Sequence, residues 1–245
     1  MAETAWVFLL ALLTAVATGL GAVPFLFFEN PTRSWLGVSN ALAAGLMLAA
    51  SLGLVYEGLA YGPWRTASGV LLGLLFIVVT RRVIQHEEHP AVFASMGALD
   101  ARKAVLVVGV MTIHSFTEGV AIGVSFGGSE SLGLFIALAL AVHNIPEGLA
   151  ISLVLVPRGV GVGRAALWSI FSSVPQPLMA VPAFLFVALF TPLLPLGLGF
   201  AAGAMAWMVF SELVPDALEE TDGTTVSVVA ALSAAAMVAF QFLIR

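Results

Sequence analysis

The chain has 245 residues and no cysteine; 60% of the residues are hydrophobic and 9% charged, with mean hydropathy +1.08 and formal net charge −5. Soluble domains carry about 25% charged residues, so too few charges are present to clothe a water-facing surface, and a soluble globular protein is excluded. The acidic balance offers no basic face to nucleic acid, and without cysteine neither a disulfide nor a thiolate metal site can form.

A membrane-crossing helix needs about 20 mostly apolar residues. Eight stretches meet that length, at about 5–27, 36–58, 64–84, 103–126, 131–156, 164–190, 193–219 and 224–244. The first has only Glu3 as a charged upstream neighbour, so it lacks the basic leader of a signal peptide and is expected to be retained as a span. The connections are short and rich in turn formers, as at 29–33, Tyr61-Gly62-Pro63, Gly127-Gly128-Ser129 and Pro157-Arg158-Gly159. Only the 85–102 connection is long, and it holds His86 and His89. The expected fold is all-α: a polytopic membrane protein of eight transmembrane helices forming a single domain over 1–245. With the N-terminus outside, the inner loops hold Arg33, Arg81, Arg82, Arg102, Lys103, Arg158 and Arg164, against Arg65 and Arg245 outside. That bias predicts both termini outside the cell membrane and the His-bearing loop in the cytoplasm.

The fourth and fifth spans carry a repeat 29 residues apart. His114-Ser115-Phe116-Thr117-Glu118-Gly119 matches His143-Asn144-Ile145-Pro146-Glu147-Gly148 in the pattern H-x-x-x-E-G. Residues at i and i+4 share a helix face, so each span presents an imidazole and a carboxylate together. Each histidine falls about eleven or twelve residues into its span, which puts both pairs near the bilayer midplane. An acidic residue there costs roughly 2.5–3.5 kcal/mol on insertion scales. Two such glutamates, each beside a histidine, call for a compensating ion, proton or partner. Imidazole and carboxylate donors suit Zn²⁺, Fe²⁺, Mn²⁺ and similar cations, and two carboxylates cancel the charge of one divalent ion. The blander alternatives are self-satisfied His–Glu packing pairs and a proton relay.

Other residues at this depth fall into two readings each. Pro146 frees the Val142 carbonyl and permits a bend. The sixth span is interrupted by Ser172-Ser173-Val174-Pro175-Gln176-Pro177, where Gln176 is either an oxygen ligand or an interhelical hydrogen-bond partner. Ser115 and Asn144, each beside a motif histidine, could complete a second adjacent site. Met47 alone reads as core filling. Glu57 and Glu212 sit toward opposite ends of their spans, as vestibule or plain interfacial acids. His86 and His89 are either transient ligands or part of a polar loop. The small residues Ala201-Ala202-Gly203-Ala204 allow close helix packing, and a homodimer is one assembly they permit.

With these motifs in place the chain resembles the ZIP family of metal transporters, particularly its GufA-like bacterial branch. The resemblance rests on the eight spans, the His-containing loop, the paired motifs, the Ala44–Ser51 segment of the second span and Ser211-Glu212-Leu213-Val214-Pro215 of the seventh. It implies a 3+2+3 inverted-repeat bundle and uptake of divalent metal, most plausibly zinc, with iron, manganese, cadmium and cobalt as other candidates. By motif position it implies a metal site of Met47, His114, Glu118, His143 and Glu147, and a neighbouring one of Ser115, Glu118, Asn144, Glu147 and Gln176. The chain departs from its relatives where Gln176 stands for a common glutamate and Ser115 for asparagine. Fewer charges then surround the second site, and one ion at the midplane is the firmer expectation. The metal is cargo; neither an organic cofactor nor an enzymatic activity is expected. Two rival readings are an intramembrane metallohydrolase, which the missing H-E-x-x-H signature argues against, and a proton or small-solute channel.

Overall fold

The computed structural model describes residues 2–27, 32–86 and 98–243, and every regular element among them is helical. Eight of these helical segments are long and apolar enough to cross a membrane. They are α1 (Ala2–Leu26), α2 (Arg33–Tyr61), α3 (Pro63–His86), α4 (Ala98–Gly128), α5 (Glu130–Arg158), α6 (Val162–Leu189), α7 (Thr191–Glu220) and α8 (Gly223–Leu243). Each agrees with the expected span to within a few residues, apart from a longer N-terminal start to α4.

The ends are set by local chemistry. The Thr32 hydroxyl accepts from the Trp35 amide and opens α2, and Ser129 does the same for α5 through Leu132. Pro63 starts α3, where its missing N–H is no loss. Asp222 caps α8, its carboxylate accepting from the Thr224 and Thr225 amides at 3.0 Å each.

Small residues decide which helices touch. Between α3 and α7, Gly69, Gly73, Gly199 and Gly203 face the other helix's backbone. A methyl group on Gly73 would stand 1.9 Å from the Phe200 carbonyl oxygen, and one on Gly203 would stand 2.1 Å from that of Val70. The stripe Ala201-Ala202-Gly203-Ala204 is buried inside the chain, with Gly203 against α3. Without a hydrophobic drive between helices in lipid, such close approach supplies the packing. The other main pairings are α2 with α8 and with α7, α4 with α5, α4 with the second half of α6, α1 with α5 and α6, and more lightly α4 with α7 and α2 with α5. Helices α4 and α7 are mostly buried, whereas α3 and α8 show most of their surface, including Leu71, Leu75, Leu232 and Phe242.

Besides short 3₁₀ turns at the end of α5 and the start of α7, three spans depart from regular α-helix. After Thr18, α1 tightens to a 3₁₀ helix over Gly19–Leu26. The predicted interruption of α6 is present: one helix ends at Ser172 and the next begins at Pro175. In α7 one π turn spans Val209–Leu213. The first two breaks meet, with Thr18 Oγ1 2.9 Å from Ser173 Oγ. Helix α5 runs unbroken through Pro146.

Candidate metal centre

The two H-x-x-x-E-G segments lie side by side on α4 and α5. His114, Glu118, His143 and Glu147 are fully buried, and one ligand atom from each falls within 4.8 Å of the others. The imidazole rings stand edge to face, 5.8 Å between centroids. His143 Nδ1 is 3.0 Å and His114 Nε2 3.5 Å from Glu118 Oε1. Neither contact has the direction of a hydrogen bond: both nitrogens of each histidine, Glu118 Oε1 and both Glu147 oxygens have no hydrogen-bond partner. Buried polar atoms are almost always paired. Unpaired imidazole nitrogens and carboxylate oxygens gathered this closely have the chemistry of a cation donor set.

The glycine that closes each motif explains how the site is framed. A methyl group on Gly148 would lie 1.6 Å from the Thr18 carbonyl oxygen, and one on Gly119 would lie 2.5 Å from that of Gln176. Each motif glutamate is thus followed by a residue that lets a neighbouring helix, α1 or α6, cross at the level of the cluster.

That crossing brings in a side-chain lattice. Gln176 donates from Nε2 to Glu118 Oε2. Its Oε1 accepts from Asn144 Nδ2 at 3.2 Å and from Thr14 Oγ1 at 2.8 Å. Asn144 Nδ2 also donates to the Thr14 carbonyl at 2.9 Å. An ionised carboxylate can only accept, so the amide turns its NH₂ toward Glu118 and its oxygen away. Gln176 thus makes hydrogen bonds to three other helices, through Glu118, Asn144 and Thr14. Ser115 Oγ and Asn144 Oδ1 are buried without a hydrogen-bond partner. Thr14 was not singled out in the sequence, because a threonine in an apolar span carries no signal of its own.

Met47 is buried at mid-span of α2, within the same core that contains Ala44, Met205 and Met208. Glu57 lies half-buried near the C-terminal end of α2. His89 lies outside the described residues, and of His86 only the backbone at the end of α3 is described.

Glu212 lines a cavity of about 220 Å³ on the side of the cluster where α2 begins and α3 ends. One wall comes from Val110 and Met111, a turn before His114, and another from Ala150 and Leu153, just past Glu147. Asp216, Glu219 and Glu220 line it with Glu212, and among the described residues Arg81 is the basic one in its wall. The Arg81 guanidinium lies 2.8 Å from Glu212 Oε1 and stacks 5.2 Å from the centre of the Trp207 ring.

Comparison with known proteins is consistent with this chemistry. The profile of the ZIP zinc transporter family matches residues 81–240. The chain is 50% identical over 239 residues to a candidate zinc transporter of Arabidopsis thaliana, covering 96% of itself but only 38% of the plant protein's length. It is 36% identical over 218 residues to the zinc transporter GufA of Myxococcus xanthus, covering 84% of itself and 86% of GufA. It is 32% identical over 230 residues to the zinc transporter ZIPB of Bordetella bronchiseptica, covering 86% of itself and 72% of that protein.

Proposed function

The chain belongs to the ZIP family, in its GufA-like branch, and from that premise we propose that it carries divalent metal, zinc above all, across the cell membrane into the cytoplasm. The single observation that carries the reading is the buried, unpaired donor set of His114, Glu118, His143 and Glu147 on two adjacent spans.

One ion binds per chain. Its ligands are the two imidazoles, the two carboxylates and, from α2, the Met47 thioether. Imidazole and carboxylate also accept iron, manganese, cobalt and cadmium, so the donor set is permissive. Gln176 acts beside the ion: its NH₂ group holds Glu118 Oε2, which leaves Oε1 for the metal. A second cation between Glu118 and Asn144 would have to break that bond first. Ligands must be deprotonated to bind, so loading releases any protons the imidazoles and carboxylates hold.

The ion leaves through the cavity between α2, α4, α5 and α7, which opens at the end rich in arginine. By the positive-inside rule that end is cytoplasmic, and both termini lie outside. A 3+2+3 inverted repeat is supported by the helix pairings. Exchanging α1 with α6, α2 with α7, α3 with α8 and α4 with α5 maps α3–α7 onto α8–α2, α4–α6 onto α5–α1, and α4–α7 onto α5–α2.

The test is zinc uptake into proteoliposomes by His143→Ala and Glu147→Ala, with expression and folding monitored. Both variants should lose uptake while remaining folded. Normal uptake by both would remove the site from the transport path.

A further inference from the structure

The mouth of the cavity poses a problem for any cation that passes it. Four carboxylates, Glu212, Asp216, Glu219 and Glu220, line a volume of about 220 Å³. Such a rim concentrates cations, but a divalent ion held by several carboxylates leaves slowly. Passage requires binding strong enough to enter and weak enough to leave.

Arg81 answers that problem in its geometry. Of the four carboxylates, Glu212 lies farthest from the end of α7, and Arg81 is paired with it at 2.8 Å while both side chains remain mostly shielded from solvent. The guanidinium is fixed from a second side by the Trp207 ring. This arrangement depends on the π turn. Residues 207 and 212 are five apart, which on a regular helix puts them about 140° from each other. The widened turn, closed by the Val214 amide on the Val209 carbonyl, brings them toward the same side, facing Arg81. Single π turns recur at functional sites. Arginine also keeps its charge at any accessible pH, so the positive group beside Glu212 does not titrate away.

We propose that Arg81 is a release-setting residue: its guanidinium occupies Glu212 and so prevents the exit cavity from becoming a second holding site for the metal. The inference rests on the reading of the cavity as the exit route. Removing the positive charge exposes Glu212 to the passing ion. The ion then dwells at the mouth, and turnover falls while apparent affinity rises.

The experiment compares wild type, Arg81→Gln, Arg81→Lys and the double variant Arg81→Gln/Glu212→Gln, using Zn²⁺ as the only metal. Zinc bound per chain is measured at equilibrium in detergent, and uptake kinetics are measured in proteoliposomes. Arg81→Gln should bind one more zinc than wild type and show kcat reduced about fivefold with KM reduced as well, fivefold being the factor for about 1 kcal/mol of added ion retention. The double variant should lose the extra zinc and regain turnover. Arg81→Lys, which keeps the charge, should bind no extra ion. Unchanged zinc stoichiometry in Arg81→Gln, or slow uptake that the double variant does not rescue, would overturn the proposal, since a merely structural pair predicts both. The binding arm needs no transport, so a wild type that moved no zinc would defeat the functional reading without deciding this one.

Discussion

At the scale of single residues, the histidines and glutamates of the repeat were legible because their cost in lipid is high and their spacing puts them on one face. What their neighbours do was not legible. The closing glycines read as part of a motif, yet only the structure gives their reason, the carbonyls of Thr18 and Gln176 that leave no room for a side chain. Thr14 lies 162 positions from Gln176 in sequence, and no local pattern announces that pairing. Gln176 itself was ambiguous between ligand and hydrogen-bond partner, because an amide can do either and the choice depends on what faces it. The bond to Glu118 makes a prediction. Gln176→Glu would set a carboxylate against Glu118 and replace a neutral donor with a charge that needs a cation. The variant should bind two zinc ions per chain where the parent binds one, as measured by elemental analysis of purified protein. One zinc in both would mean that the amide does not govern stoichiometry.

At the scale of helices, length and hydropathy were enough to locate all eight spans. The break in α6 was also legible, since Pro175 and Pro177 cannot donate to the preceding turn. The 3₁₀ end of α1 and the π turn of α7 were not. Pro24 and the glycines of 19–21 are ordinary in a membrane helix, and the π turn has only Pro215, two residues beyond it, as a sequence trace. The glycine contacts of α3 and α7 are directly testable. Gly73→Ala would drive a methyl into the Phe200 carbonyl and should destabilise the protein by about 1–3 kcal/mol, the usual range for overpacking. Gly163→Ala, on α6 with nothing within 4 Å, should be neutral or slightly stabilising. Thermal unfolding in detergent separates the two. The cap of α8 carries a pH signature. The Thr225 hydroxyl, at 2.6 Å, and the amide bonds hold the Asp222 carboxyl below the usual aspartate range. Its contribution is therefore present above the ordinary aspartate value of about 3.9 and is lost as pH falls through the lowered one. Asp222→Ala should unfold at a lower temperature than the parent at pH 7, and the gap should close in acid.

At the scale of the whole molecule, close backbone contact at glycines joins helices throughout, and one group of four adds a buried polar lattice to it. Helices α1, α4, α5 and α6 are joined by the Thr14–Asn144–Gln176–Glu118 lattice and by Ser169, whose hydroxyl reaches the Gly148 carbonyl. Helices α2, α3, α7 and α8 are joined by small residues and backbone contact, as at Gly45 against Ala230 and Gly203 against Val70. The interruptions of α1 and α6 both fall in the first group, at one level, linked by the hydroxyls of Thr18 and Ser173. Around them the amides of Ser173, Val174 and Gln176 bond three residues back, with the poorer geometry of a 3₁₀ turn. Regions closed by such bonds open at a smaller free energy than a buried α-helix. The two interruptions therefore meet along one line shared by two helices. In hydrogen–deuterium exchange, the amides of 19–26 and 170–178 should exchange sooner than those of 110–125. Thr18→Ala should quicken both segments together, although only one of them carries the substitution.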